Sequence, residues 1–111
     1  MTGSGESVAG DRIYYAAEKL GFAILVDEDL GGSYEFDQLI VVRAPDGTLW
    51  AAHDAGCSCP TPFEDMSWPA DWTEIKQPAD IEPVIAEWSE YLPEVDPARS
   101  RVRFAVGEAL R

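Results

Sequence analysis

A chain of 111 residues has room for one hydrophobic core, and 46% apolar with 11% aromatic content is globular usage rather than that of a disordered segment. Twenty-one acidic against eight basic residues leave a formal net charge of −13, which argues against direct nucleic-acid binding, because affinity for phosphate needs clustered Lys and Arg. No run approaches the ~18 to 20 apolar residues of a membrane span, and MTGSGESVAG lacks a basic and apolar leader pattern; the expectation is a cytosolic protein without membrane contact, its two cysteines reduced.

Residues 1–6, MTGSGE, read as a disordered start. Ser7 or Asp11 is placed to cap a first helix carrying Ile13, Ala16, Ala17 and Leu20 on one stripe and stopped by Gly21, with Tyr14 and Tyr15 beside the stripe as a roof on the core. Phe22 to Leu30 predicts a strand with Phe22, Ile24, Val26 and Leu30 on one face and Asp27 and Asp29 on the other. Gly31, Gly32 and Ser33 break it, and so short a loop favours an antiparallel return over Tyr34 to Arg43.

Ala44-Pro45-Asp46-Gly47 then has the chemistry of a bulged hairpin turn: proline presets φ, Asp tolerates the next position and Gly supplies a left-handed one. That turn fixes a register. With Ala44 opposite Thr48, Val42 faces Trp50, Ile40 faces Ala52 and Leu39 faces His53. One sheet face then carries Ile40, Val42, Trp50 and Ala52, and the other Leu39, Val41, Leu49, Ala51 and His53. Two apolar faces imply a hairpin covered on both sides or a surface kept for a partner.

Residues 60–78 are punctuated by four prolines and hold Phe63, Met66, Trp68, Trp72 and Ile75. No regular structure is expected there; the large side chains either pack on the domain or meet a partner, which makes Phe63, Trp68 and Trp72 candidate interaction residues. Asp80 as N-cap, Pro83 in the first turn and Ile81, Val84, Ile85, Trp88 and Leu92 at helical spacing predict a helix ended by Pro93. Asp96-Pro97 opens a last helix with Val102, Ala105, Val106, Ala109 and Leu110 on its apolar face and Arg99, Arg103 and Arg111 off it. Residues 96–111 are net +2, leaving −15 on the first 95; an acidic body of this kind serves solubility first and steering towards a basic partner second. The expected architecture is a single α+β domain over residues 1–111. Its small antiparallel sheet has three strands, Phe22 to Leu30, Tyr34 to Ala44 and Thr48 to Asp54, packed with an N-terminal helix and two C-terminal helices.

His53, the only histidine, and Cys57 and Cys59, the only cysteines, form H-x3-C-x-C. All three are zinc-ligand types, and a bend at Ala55-Gly56 would bring the imidazole towards the thiolates, with water, Asp37, Asp54 or Asp65 as fourth ligand. The spacing lacks a C-x2-C knuckle, however, and the simpler reading is a tight turn of small residues beside a rim histidine. A Cys57–Cys59 disulfide would close a small, strained ring. A thiol nucleophile, with His53 as base and Asp54 or Asp37 as orienter, needs an electropositive setting that this acidic stretch does not offer. No catalytic residue is assigned, and no cofactor is expected unless zinc occupies His53, Cys57 and Cys59.

The stretch YEFDQLIVVRAPDGTLWAAHDAGCSCPTPFED, and within it Gly56-Cys57-Ser58-Cys59-Pro60-Thr61-Pro62-Phe63-Glu64-Asp65, resembles small uncharacterised proteins encoded by phages of actinobacteria. The resemblance implies a phage origin and action in the host bacterial cytoplasm, and it supplies no activity. The leading expectation is therefore a small acidic accessory protein, not an enzyme, that binds and modulates a host or phage protein, one version being mimicry of DNA charge. The alternative is a metal-stabilised or thiol-active domain centred on His53, Cys57 and Cys59. An acidic protein with a two-faced hairpin suits a monomer or a dimer alike.

Overall fold

The structure, a computed structural model, describes residues 7–32, 34–57, 61–88 and 96–111. In chain order it runs β1 (Val8–Ala9), α1 (Gly10–Leu20), β2 (Ala23–Asp29), β3 (Glu35–Arg43), β4 (Leu49–Cys57), β5 (Ser67–Trp68), β6 (Thr73–Glu74), a 3₁₀ turn (Pro78–Ile81), α2 (Glu82–Trp88) and α3 (Asp96–Ala109). The α+β class is as expected, but there are two antiparallel sheets instead of one of three strands: a four-stranded sheet ordered β2-β3-β4-β6 and a two-stranded β1-β5. The three extra strands are only two residues long. At that length pairing comes from backbone contacts made by the fold, and no period-2 pattern exists to announce it.

The hairpin register is the one the turn chemistry requires, with Val42 opposite Trp50, Ile40 opposite Ala52 and Leu39 opposite His53. The Ala44 N–H donates to the Thr48 carbonyl at 2.8 Å, and Gly47 has φ +90°. Both faces are covered. Leu39, Val41, Leu49 and Ala51 pack under Ile81, Val84, Ile85 and Trp88 and under Ala98, Val102 and Val106 of α3. Ile40, Val42, Ala44 and Ala52 pack against Ile13, Phe22, Phe63 and Trp72. The chain after β4 therefore fills the second face with aromatic rings: Phe63 is 0% exposed and Trp72 6%, while Trp68 is half-buried against Phe22 and Trp50.

Strand β2 departs from the expected single apolar face. The register passes from Ile24↔Val42 to Val26↔Val41, so Leu25 is an extra, bulged residue, 38% exposed. A bulge reverses side-chain parity. Ile24 accordingly joins the α1 side of the sheet with Phe22, whereas Val26 and Leu30 join the α2/α3 side.

Helix α1 is capped neither by Ser7 nor by Asp11. Its N-cap is Ala9, with no side-chain bond, and the Gly10 N–H is satisfied by the Met66 carbonyl at 2.7 Å. Gly21, at φ +82°, ends it as expected. Ala16 interrupts it with non-helical angles; Tyr14 packs on the second core cluster, whereas Tyr15 is 67% exposed and does not roof the core. Asp80 is the third residue of a 3₁₀ turn rather than a helix N-cap, and its carboxylate reaches back to the Lys76 and Gln77 N–H groups at 2.8 and 3.1 Å. Leu92 and Pro93 lie outside the described residues. The arginines of α3 hold it in place: Arg101 grips Glu28 of β2 through two bonds of 2.7 and 2.9 Å, and Arg103 grips Glu82 through two of 2.8 and 2.9 Å.

Asp54 joins the hairpin to the loop after it. Its Oδ1 accepts the Ala55 N–H at 3.0 Å and its Oδ2 accepts the Phe63 N–H at 2.7 Å, in a turn where Phe63 adopts φ +68°. Asp54→Ala should therefore cost about 1–3 kcal/mol, the range for losing charged acceptors of backbone N–H groups, as read by the urea midpoint with an unchanged slope.

Three carboxylates link stability to acid. Hydrogen bonds hold each below its ordinary range: for Asp46 the Thr48 hydroxyl and then the Thr48 N–H, for Asp80 the Lys76 and then the Gln77 N–H, and for Glu82 the Arg103 guanidinium. A depressed folded value stabilises fully above the unfolded value and loses that contribution as pH falls through the folded one. Their contribution should therefore be constant from pH 7 to about 5 and decline below about pH 4. Urea midpoints across pH 7 to 3 check this, and Asp80→Asn should flatten the acid limb.

Candidate functional site

Strand β4 runs three residues beyond the expected end at Asp54, pairing Ala55, Gly56 and Cys57 with Asp37, Phe36 and Glu35. The bend at Ala55-Gly56 that would bring His53 towards the thiolates is absent, because β3 supplies partners as far as Cys57. An extended run of four residues separates the Cα atoms of His53 and Cys57 by about 13 Å. Cys59 lies outside the described residues.

His53 instead meets carboxylates. It sits on the sheet face beneath α2, and Asp37, two residues from its cross-strand partner Leu39, is its diagonal neighbour. His53 Nε2 lies 2.7 Å from Asp37 Oδ1, and Nδ1 lies 3.2 Å from Glu87 Oε1 on α2. The imidazole is 13% exposed, Asp37 25% and Glu87 71%. Next to Glu87, the Trp88 indole donates its N–H to the Asp37 carbonyl at 2.9 Å, fixing the end of α2 over β3. A neutral imidazole carries one N–H, so both contacts are hydrogen bonds together only when the ring holds two protons or a carboxyl group holds one. The arrangement latches helix to hairpin.

The chemistry this permits is narrow. The two ring nitrogens face different ways, so Asp37 and Glu87 flank the imidazole and do not surround a common point. Among the described residues no three His, Cys, Asp or Glu side chains are disposed to hold a metal ion. Of the carboxylates considered as fourth ligand, Asp37 meets His53, Asp54 is committed to Phe63 and Ala55, and Asp65 is exposed. Glu87 is not among the residues that the sequence singles out. An open pocket of about 160 Å³ lies beside the latch, where His53 and Glu87 meet Met66, Asp71 and Thr73.

A second polar network lies on the α1 side. Gln38, 3% exposed, donates from Nε2 to the Tyr14 hydroxyl and to Asp27, both at 2.9 Å, and burial raises the Tyr14 phenol above its ordinary value. No described helix is long and apolar enough to cross a membrane.

These features define an α+β protein whose antiparallel sheet is covered on both faces and whose single histidine is clamped by an aspartate and a glutamate. Residues 11–106 match a family described as a domain of unknown function (DUF7574), and the chain belongs to that family. The matched span takes in the whole latch. Searches of curated proteins and of solved structures found no match.

Proposed function

We propose that this is a non-enzymatic acidic protein of phage origin that acts in the bacterial cytoplasm by binding and modulating a basic host or phage protein. The observation that carries the reading is how the positive charges are spent. Arg99, Arg101, Arg103 and Arg111 are bonded to Asp96, Glu28, Glu82 and Glu108, and Arg43 to the Gly47 and Ala109 carbonyls. The net +2 of residues 96–111 thus serves the fold, while the exposed side-chain carboxylates of Glu18, Glu35 and Asp65 make no bond among the described residues. The result is an acidic exterior of the kind that steers towards basic partners. The non-enzymatic part is supported by His53, whose two nitrogens each face a carboxylate rather than a hydroxyl or thiol.

The immobilised full chain, challenged with an actinobacterial lysate at rising salt, tests the reading. Retention of a discrete basic protein, lost progressively with salt, is expected. Retention of nothing at any ionic strength would contradict it. If the partner binds DNA, displacement of that DNA by this protein would identify the interaction as charge mimicry.

A further inference from the structure

The outer edge of β4 is closed by β6 only at Trp50 and Ala51. Backbone parity identifies the groups left at that edge. The Thr48 carbonyl bonds across the hairpin to Ala44, whereas the Leu49 carbonyl accepts the Ile75 N–H on the opposite side at 2.8 Å, so Leu49, Ala51, His53 and Ala55 aim their backbone groups away from β3. Ala51 pairs with Thr73, and the Ala55 N–H is taken by Asp54. The N–H and carbonyl of His53 have no partner among the described residues. The chain that would have continued β6 past them turns away, with the Asp71 N–H bonded to the Ser67 carbonyl at 2.8 Å.

The 160 Å³ pocket lies at this gap. Ala52, Met66, Pro83 and Val84 give it apolar walls, and the exposed carboxylates of Asp71 and Glu87 stand at its rim. Apolar walls below two carboxylates suit a long side chain with an alkyl stem and a cationic head. An open strand edge suits an extended backbone.

We propose that this notch docks a short extended segment of a partner protein carrying a lysine or arginine. Its backbone pairs with His53 as a continuation of β6, its alkyl stem lies on the apolar walls, and its cation reaches Asp71 and Glu87. The inference rests on the acidic-binding reading above and names the place and the chemistry. A second copy of this chain is the wrong occupant: net −13 repels its like, and the arginines of α3 are tied to carboxylates.

The test is an amide-resolved NMR titration of the ¹⁵N-labelled full chain with the end-capped peptide Val-Thr-Arg-Val-Thr and its Glu-centred counterpart. Expected are shifts centred on Ala51, His53, Thr73 and Glu87 with the Arg peptide, none with the Glu peptide, and binding at least about tenfold weaker in the Asp71→Asn/Glu87→Gln double variant. Because Asp71 also accepts the Ser67 N–H at 2.9 Å, Glu87→Gln alone serves if the double variant loosens that turn. Arg-peptide shifts centred elsewhere, or affinity unchanged in Glu87→Gln, would overturn the notch and leave the acidic-surface reading standing. No binding of the Arg peptide, together with no salt-sensitive partner in the lysate, would remove both.

Discussion

Trp88→Ala should lower stability by about 3–5 kcal/mol, a large share of the ~5–15 kcal/mol available to a domain of this size. Trp88 is 1% exposed, fills the cluster between α2 and the sheet, and anchors the Asp37 carbonyl. Truncation opens a cavity beneath the latch and releases the end of the helix that carries Glu87. Trp88→Phe keeps most of the buried area and loses only the indole bond, so about 1–2 kcal/mol is expected. Urea unfolding measures both, and near-equal losses would show that packing under α2 does not carry the effect.

Gly10→Ala should cost about 1–3 kcal/mol by overpacking. A Cβ there would stand 2.6 Å from the Phe63 carbonyl oxygen and 3.0 Å from the Met66 carbonyl oxygen, both of them backbone atoms with little freedom to retreat. The same Met66 oxygen accepts the Gly10 N–H, so relief of the clash would break the bond that starts α1. Gly107→Ala is the internal contrast. Nothing lies within 4 Å of its added methyl in α3, and helix propensity alone predicts a gain of about 1 kcal/mol. Thermal melts of the two variants should move in opposite directions.

What the sequence conveyed depended on the range over which each signal acts. Turn chemistry is local, and Ala44-Pro45-Asp46-Gly47 was enough to set the whole β3–β4 register and assign Leu39, Val41, Ile40 and Val42 to their faces. Helical period showed Ile81, Val84, Ile85 and Trp88 to be one buried stripe, and so they are. The Leu25 bulge was hidden because an inserted residue leaves the composition of a strand unchanged. Strands β1, β5 and β6 were hidden because two residues carry no period. The continuation of β4 to Cys57 was missed because Gly56 in a run of small residues reads as a break until β3 is known to pair with it. At the site, Asp37 was within view as a cross-strand neighbour of His53. Glu87 required knowing that α2 lies over that face, which no local pattern states.

The proposed function places this protein's work on an uncompensated acidic exterior and not on the His53-Cys57-Cys59 block. Its most direct test is the salt dependence of affinity between the full chain and a basic protein captured from the actinobacterial lysate. Wild type should be compared with a variant in which Glu18→Gln, Glu35→Gln and Asp65→Asn neutralise three exposed, unbonded carboxylates. The expected result is affinity that falls steeply with salt in the wild type, and is both weaker and less salt-dependent in the variant. Equal affinity and equal salt dependence in the two proteins would contradict the claim.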